Sequence, residues 1–219
     1  MEYMPNFKLH RPTDVEEAVR LRTDSDDARY VAGGTDMIVN VRRGIEQPKA
    51  LVDLSAIEEM KSISKDADGL HIGAGVTLDV IANDARIQKD FAAVAEGAAA
   101  VAGPTHQKYG TLGGNLCLDT RCLFYNQSEW WRQSNDSCLK ERGSICHVAP
   151  GGKRCFAAFS GDVAPTMLVF DAEIDVVGPD GRRSMKLGDL YKNDGMDHLT
   201  LAPGELVVSV HLKKSEAGV

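Results

Sequence analysis

The chain of 219 residues is poor in aromatic side chains, which make up 6% of it, and has no long basic run. Its formal net charge is −7, which argues against the clustered basic face that nucleic-acid binding requires. The most apolar helix-like stretch, residues 91–102, is too short for a membrane span and carries Glu96. The first residues lack the basic and apolar regions of a signal peptide. We therefore expect neither nucleic acid nor membrane as a partner, and a cytoplasmic location.

Cysteine is absent from most of the chain, and all five cysteines lie between positions 117 and 155. In a reducing cytoplasm, such a cluster indicates metal or redox chemistry rather than disulfides. No two of them have the C-x2-C spacing of a zinc ribbon. Four thiolates suit either zinc or an iron–sulfur cluster, and the spacing alone does not decide between them.

The composition of the whole chain favours a mixed α/β protein, because only 6% of it is aromatic whereas 21 residues are glycine. Residues 1–55 are predicted to form a small α/β unit with helices at 13–23 and 37–43 and strands at 30–32 and 50–54; Thr13 is the expected cap of the first helix. From residue 56, the pattern predicts strands at 70–74, 167–177 and 206–212 and helices at 78–86 and 89–102. The cysteine segment is predicted to be a long polar loop in which Trp130 and Trp131 form a small core.

Two glycine motifs have the chemistry of a diphosphate site. In Ala32–Asp36, Gly33 and Gly34 would let a phosphate approach the backbone, and Thr35 adds a hydroxyl. Thr111–Asn115 repeats this pattern. A lone glycine pair is usually a plain turn, and the G-x-G-x-x-G fingerprint of the dinucleotide fold is absent. Together, the two motifs could hold one diphosphate from both sides.

These motifs, followed by Ser160–Pro165, resemble in order and separation the FAD-binding subunit or domain of the xanthine dehydrogenase and carbon monoxide dehydrogenase family of molybdenum hydroxylases. The resemblance implies a two-subdomain FAD-binding fold of the α/β (α+β) class, with subdomains at 1–55 and 56–219. It implies no catalytic residue on this chain. The residues that it implies for FAD binding are Arg29, Tyr30, Val31, Ala32, Gly33, Gly34, Thr35, Asp36, Val101, Thr111, Gly114, Asn115, Asp162 and Val207.

Two departures from the family pattern stand out. An insertion at about residues 117–158 resembles that of the β subunit of 4-hydroxybenzoyl-CoA reductase, where four cysteines bind a 4Fe–4S cluster. The corresponding ligands would be Cys122, Cys138, Cys146 and Cys155, whereas Cys117, between two leucines, is expected to pack as a small hydrophobe. The chain is also expected to lack the family's C-terminal domain.

The implied function is electron relay. Electrons would pass from ferredoxin to the 4Fe–4S cluster, to FAD, to 2Fe–2S clusters on a small subunit, and to a molybdenum cofactor on a large subunit that removes the hydroxyl of a 4-hydroxybenzoyl thioester. One alternative is the flavoprotein subunit of another molybdenum hydroxylase. The other is a zinc-stabilised scaffold subunit without catalytic function.

Overall fold

The computed structural model describes residues 4–214. Residues 1–3 and 215–219 lie outside the described residues. They include the two ends of the expected subdomains and part of the N-terminal stretch on which the expectation about a signal peptide rests. The boundary between subdomains at residues 55 and 56 stays a prediction, although the two sheets below lie on either side of it.

The first sheet is parallel and has the strand order β1-β3-β2. Its strands are β1 (Lys8–His10), β2 (Ala28–Val31) and β3 (Ala50–Asp53), connected by α1 (Val15–Thr23) and α2 (Met37–Arg42). Helix α1 buries Val15, Ala18 and Val19 on one face. Its cap is Asp14 rather than the expected Thr13: Oδ1 of Asp14 accepts from the backbone N–H of Glu17 at 2.8 Å. A carboxylate both accepts this bond and favours the positive end of the helix.

The second sheet is antiparallel and has the strand order β4-β5-β8-β6-β7. Its strands are β4 (Ile63–Lys65), β5 (Gly69–Gly73), β6 (Glu173–Gly178), β7 (Gly181–Lys186) and β8 (Leu206–Lys213). The central strand β8 carries a bulge, because Asp175 pairs with Ser209 whereas Val176 pairs with Val207. The bulge therefore lies beside Val207, one of the residues that the resemblance implies for FAD binding.

The helices of the second region are shorter than the sequence pattern predicts. They are α3 (Leu78–Asn83), α4 (Ala85–Asp90), α5 (Ala92–Ala100), α6 (Pro104–Tyr109), α7 (Leu112–Leu116), α8 (Glu129–Ser134) and α9 (Val163–Val169). The predicted helix 78–86 is interrupted at Asp84, whose carboxylate accepts from two backbone N–H groups of α4 and begins a new helix. The predicted strand 167–177 is wrong in its first half, which belongs to α9, and a turn at Asp171 with φ 49° separates the two.

One hydrophobic core joins the two sheets. It includes Val15 and Val52 from the first region and Ile72, Ile174 and Val210 from the second, all at most 1% exposed. Within residues 4–214, no helix is long and apolar enough to cross a membrane. The mixed α/β class is confirmed.

Candidate functional site

A cleft of about 840 Å³ is lined by residues of both sheet regions. Its size is within the range of cofactor sites. It brings together every residue of the expected FAD set except Asp162: Arg29, Tyr30, Val31, Ala32, Gly33, Gly34, Thr35, Asp36, Val101, Thr111, Gly114, Asn115 and Val207. Asp162 is exposed at the start of α9 and does not line the cleft.

The first glycine motif packs against the backbone directly before the second motif. A Cβ atom on Gly33 would overlap the backbone carbonyl of Tyr109, just before the second motif. Glycine at this position is therefore required by the close approach of two backbone segments. Gly34 has a φ of 71°, which lies in the left-handed region that favours glycine. This packing, as well as ligand access, explains the glycine pair.

The second and third motifs also meet. Oδ1 of Asn115 accepts from the backbone N–H of Val163 at 3.1 Å. A Cβ on Gly161 would lie 2.5 Å from the backbone oxygen of Asn115. Although Asp162 does not line the cleft, the loop that carries it packs directly against a cleft residue.

The first glycine loop has the donors that a diphosphate needs. Within the part of the chain that the structure describes, the backbone N–H groups of Gly33, Gly34 and Thr35 donate no hydrogen bond. Unpaired backbone donors next to a deep cleft fit an anionic ligand. In the second loop, Thr111 accepts from the N–H of Gly114 at 3.2 Å, so this amide is already engaged. The hydroxyl proton of Thr111 remains available to a ligand.

The cleft also contains charged residues that the motif analysis missed. Arg121 forms an ion pair with Asp36 of the first glycine loop, and its Nη1 donates to Oδ1 of Asn40 at 3.3 Å. Burial lowers the pKa of Arg121. Lys108 lines the cleft and, among residues 4–214, has no ion-pair partner. The position of Arg121 directly before Cys122 was the only available sequence signal, and it did not indicate that the side chain reaches the glycine loop.

Val101, Val207 and Tyr30 form an apolar part of the cleft lining. Val101 ends α5, and Val207 lies at the bulge of β8 and is 2% exposed. The hydroxyl of Tyr30 donates to the backbone oxygen of Gly204 at 2.8 Å, which holds the ring in place, and burial raises the pKa of Tyr30. These residues form an apolar wall suited to an aromatic ring system.

The cysteines divide between two places. Cys122, Cys138, Cys146 and Cys155 line one small pocket in the inserted loop. Cys117 lies outside this pocket, lines the cleft and packs against the main core. Burial raises the pKa of Cys117 to about 12, so it is a neutral thiol near neutral pH. The structure therefore groups the four cysteines that the sequence analysis selected and separates the fifth.

The spacing of the four sulfurs distinguishes between metal types. Four thiolates on one tetrahedral zinc ion would lie about 4 Å apart, because the Zn–S bond is about 2.3 Å. Among residues 4–214, the only three potential ligand side chains whose ligand atoms all lie within 4.8 Å of one another are Asp66, His71 and His211. No three of the four sulfurs are therefore as close as one zinc ion requires.

Backbone N–H groups surround the four sulfurs. Tyr125 donates to Cys122 Sγ at 3.5 Å, and Ala157 donates to Cys155 Sγ at 3.4 Å. Burial raises the pKa of Cys138 and Cys155. Burial acts in the same direction on Cys146, but three N–H groups outweigh it and lower the pKa of that thiol. N–H···S bonds stabilise thiolates, as ligands to a metal or cluster require.

The inserted loop is held by a buried arginine instead of the expected tryptophan core. Trp130 is 75% exposed, so the expectation is wrong for this residue, whereas Trp131 packs edge-on against Phe124 with ring centroids 5.0 Å apart. Arg132 is 1% exposed; it donates to Oε2 of Glu141 at 2.6 Å and to backbone oxygens of Tyr125, Gln127 and Gly44. A polar loop can bury so large a cation only when its donors are paired.

The parallel sheet, the paired glycine loops and the large cleft define a domain that holds a large nucleotide cofactor. The profile of the family described as "FAD binding domain in molybdopterin dehydrogenase" matches residues 5–213. The chain belongs to this family, which confirms the expected class of FAD-binding protein.

Similar proteins agree with this assignment. The aldehyde oxidoreductase FAD-binding subunit PaoB of Escherichia coli (strain K12) is 32% identical over 218 residues, which cover 95% of this chain and 69% of the relative. The xanthine dehydrogenase FAD-binding subunit of Escherichia coli O157:H7 is 24% identical over 203 residues, 92% of this chain and 56% of the relative. The solved carbon monoxide dehydrogenase from Oligotropha carboxidovorans has a TM-score of 0.73 at 22% identity, covering 97% of this chain and 61% of that one, and shows the same fold.

Proposed function

We propose that this chain is the FAD-binding, electron-transferring subunit of a molybdenum-containing oxidoreductase, and that its inserted loop binds a 4Fe–4S cluster. The observation that carries the proposal is the convergence of the expected FAD residues on one cleft, next to a pocket lined by four cysteines. The chain spans about 56–69% of the length of the relatives described above, so the activity and partners of the whole assembly belong to the proposal.

FAD fits the cleft by both size and chemistry. The unpaired N–H groups of the first glycine loop would bind the diphosphate, and Val101 and Val207 would contact the flavin. Asp162 would also contribute to FAD binding, from the loop that packs against Asn115. Bound FAD would accept and release electrons in one-electron or two-electron steps. The chain's own residues would position it and exclude water.

A 4Fe–4S cluster fits the cysteine pocket better than zinc does, because the sulfurs are too far apart for one zinc ion. The cluster would supply one-electron transfer. Lys140, which lines the pocket, would offset part of the negative charge of four thiolates. The zinc-stabilised scaffold is the less favoured alternative, since it accounts for neither this spacing nor the large cleft.

The proposed partners are a large subunit with a molybdenum cofactor and a small subunit with 2Fe–2S clusters, in a cytoplasmic complex. In the cleft, Arg29 pairs with Glu46 and Asp36 pairs with Arg121, so these charged groups are engaged within the chain. The substrate would react on the large subunit.

Two substrate classes are proposed for the complex. Similarity to PaoB favours oxidation of an aldehyde, with electrons leaving through this chain. The cysteine insertion favours the 4-hydroxybenzoyl-CoA reductase type, with electrons entering from ferredoxin. We favour the oxidative class, because the similarity to PaoB extends over 95% of this chain.

The proposal is tested on the purified complex by flavin absorbance and by activity. An aldehyde with a dye acceptor should be oxidised, whereas 4-hydroxybenzoyl-CoA with reduced ferredoxin should not react. The reverse result would select the reductase. A complex free of flavin would refute the FAD function for either substrate.

A further inference from the structure

Two histidines form a stacked pair on the second sheet, away from the cleft and the cysteine pocket. His71 of β5 is directly opposite His211 of β8. Their ring centroids are 4.0 Å apart and the ring planes differ by 1°. Asp66, in the turn between β4 and β5, places Oδ2 2.8 Å from Nε2 of His71.

Hydrogen bonding within the chain leaves one atom of this group unsatisfied. His71 is paired with Asp66, but Nε2 of His211 is buried and has no hydrogen-bond partner within residues 4–214. An unpaired buried nitrogen is unfavourable unless another group binds it. Asp175, on the adjacent strand β6, adds a second negative charge near both histidines, and its carboxylate is fixed by Ser184 and Ser209 at 2.6 Å each.

We propose that Asp66, His71 and His211 form a binding site for a divalent transition-metal ion of the zinc type. One ligand atom from each lies within 4.8 Å of the other two. Two imidazoles and a carboxylate are a common ligand set for zinc, and a water molecule would take the fourth position. The metal ion would replace the hydrogen bond between His71 and Asp66 and would satisfy His211.

The role of this metal ion is structural. It connects the β4–β5 turn and β5 to β8, the strand whose other end lines the cleft at Val207. His211 is four positions from Val207, a distance of roughly 13 Å along a strand. A metal ion held by His211 is therefore too far from the cleft to contact a bound flavin, and the site is independent of the function proposed above.

The test uses the purified full-length chain with its cofactors, washed with chelator and then given zinc chloride. Elemental analysis after gel filtration should give about one zinc per chain. X-ray absorption at the zinc edge is not affected by flavin or iron; it should show nitrogen and oxygen ligands at about 2.0–2.1 Å and no sulfur at about 2.3 Å.

His71→Gln and His211→Gln should each weaken zinc binding at least about tenfold. His10→Gln, on the other sheet, is the matched control and should bind as the wild type does. Asp66→Asn provides a variant at an exposed turn if a histidine variant does not fold, and it should weaken binding similarly. Absence of zinc, sulfur ligation, or unchanged binding in the variants would overturn the proposal.

Discussion

The ammonium nitrogen of Lys140 lies 2.6 Å from Oδ1 of Asp119, and this ion pair joins the cysteine pocket to the cleft. Lys140 lines the pocket and its side chain is 6% exposed, whereas Asp119 lines the cleft. Lys140 also bonds Oγ1 of Thr120 at 2.5 Å. The two proposed cofactor sites thus share one buried network.

Replacing Lys140 should destabilise the chain. Lys140→Met leaves Asp119 without its cation, and we expect a loss of about 2 kcal/mol, below the range for fully buried pairs because Asp119 is partly exposed. The corresponding fall in melting temperature is about 4–8 °C for a domain of this size. Thermal unfolding followed by circular dichroism measures it.

Lys192→Met is the matched control. Lys192 pairs with Asp197 at 2.5 Å, but both side chains are at least 40% exposed. A surface pair contributes less than about 1 kcal/mol, so the melting temperature should hardly change. Equal shifts in the two variants would show that the buried network has no special role.

FAD binding should depend on Gly114 without a large cost in stability. A Cβ on Gly114 would meet only Oγ1 of Thr111, at 3.1 Å, so this one hydroxyl would have to shift by a few tenths of an ångström. Gly114→Val should reduce flavin content strongly, because the added branches enter the cleft where the diphosphate would bind. Flavin absorbance per chain measures this content.

Two further variants control this result. Gly103→Val, where a Cβ meets nothing within 4 Å and φ is −140°, should keep its flavin. Gly33→Ala should lower stability as well as flavin content, because its Cβ overlaps the backbone of Tyr109. Normal flavin in Gly114→Val would refute the two-loop diphosphate site.

Much of the fold could be predicted from local sequence signals, as the strand β8 and the helix α1 show. The interruption of the helix at Asp84 could not be predicted. The apolar residues on either side of Asp84 continue one helical pattern, and this pattern conceals the carboxylate that caps a new helix. The residues expected to bind FAD line one cleft, except that Asp162 lies outside the lining, and their role in FAD binding stays a prediction. Arg121 was missed because its partner Asp36 is far away in the sequence, and Arg132 because its partners in an irregular loop leave no periodic pattern.

The ion pair between Arg121 and Asp36 should couple the inserted loop to FAD binding. Arg121→Gln removes the charge that holds the carboxylate of the first glycine loop, and we expect the FAD dissociation constant to rise about fivefold, or about 1 kcal/mol. Fluorescence titration of the flavin-depleted chain measures this constant.

Arg43→Gln is the matched control. It removes only an exposed hydrogen bond to Asn126 of the inserted loop and should leave FAD affinity unchanged. Similar losses of affinity in both variants would contradict a specific role for Arg121.

The central claim is that the loop cysteines hold an iron–sulfur cluster, and it is tested most directly by counting iron and acid-labile sulfide in wild type, Cys138→Ser and Cys117→Ser. The clusters on partner subunits contribute equally to all three proteins. We predict that Cys138→Ser loses about four irons and four sulfides per chain while its FAD remains bound, and that Cys117→Ser loses neither. Equal iron in all three proteins, or loss of iron in Cys117→Ser alone, would contradict the account.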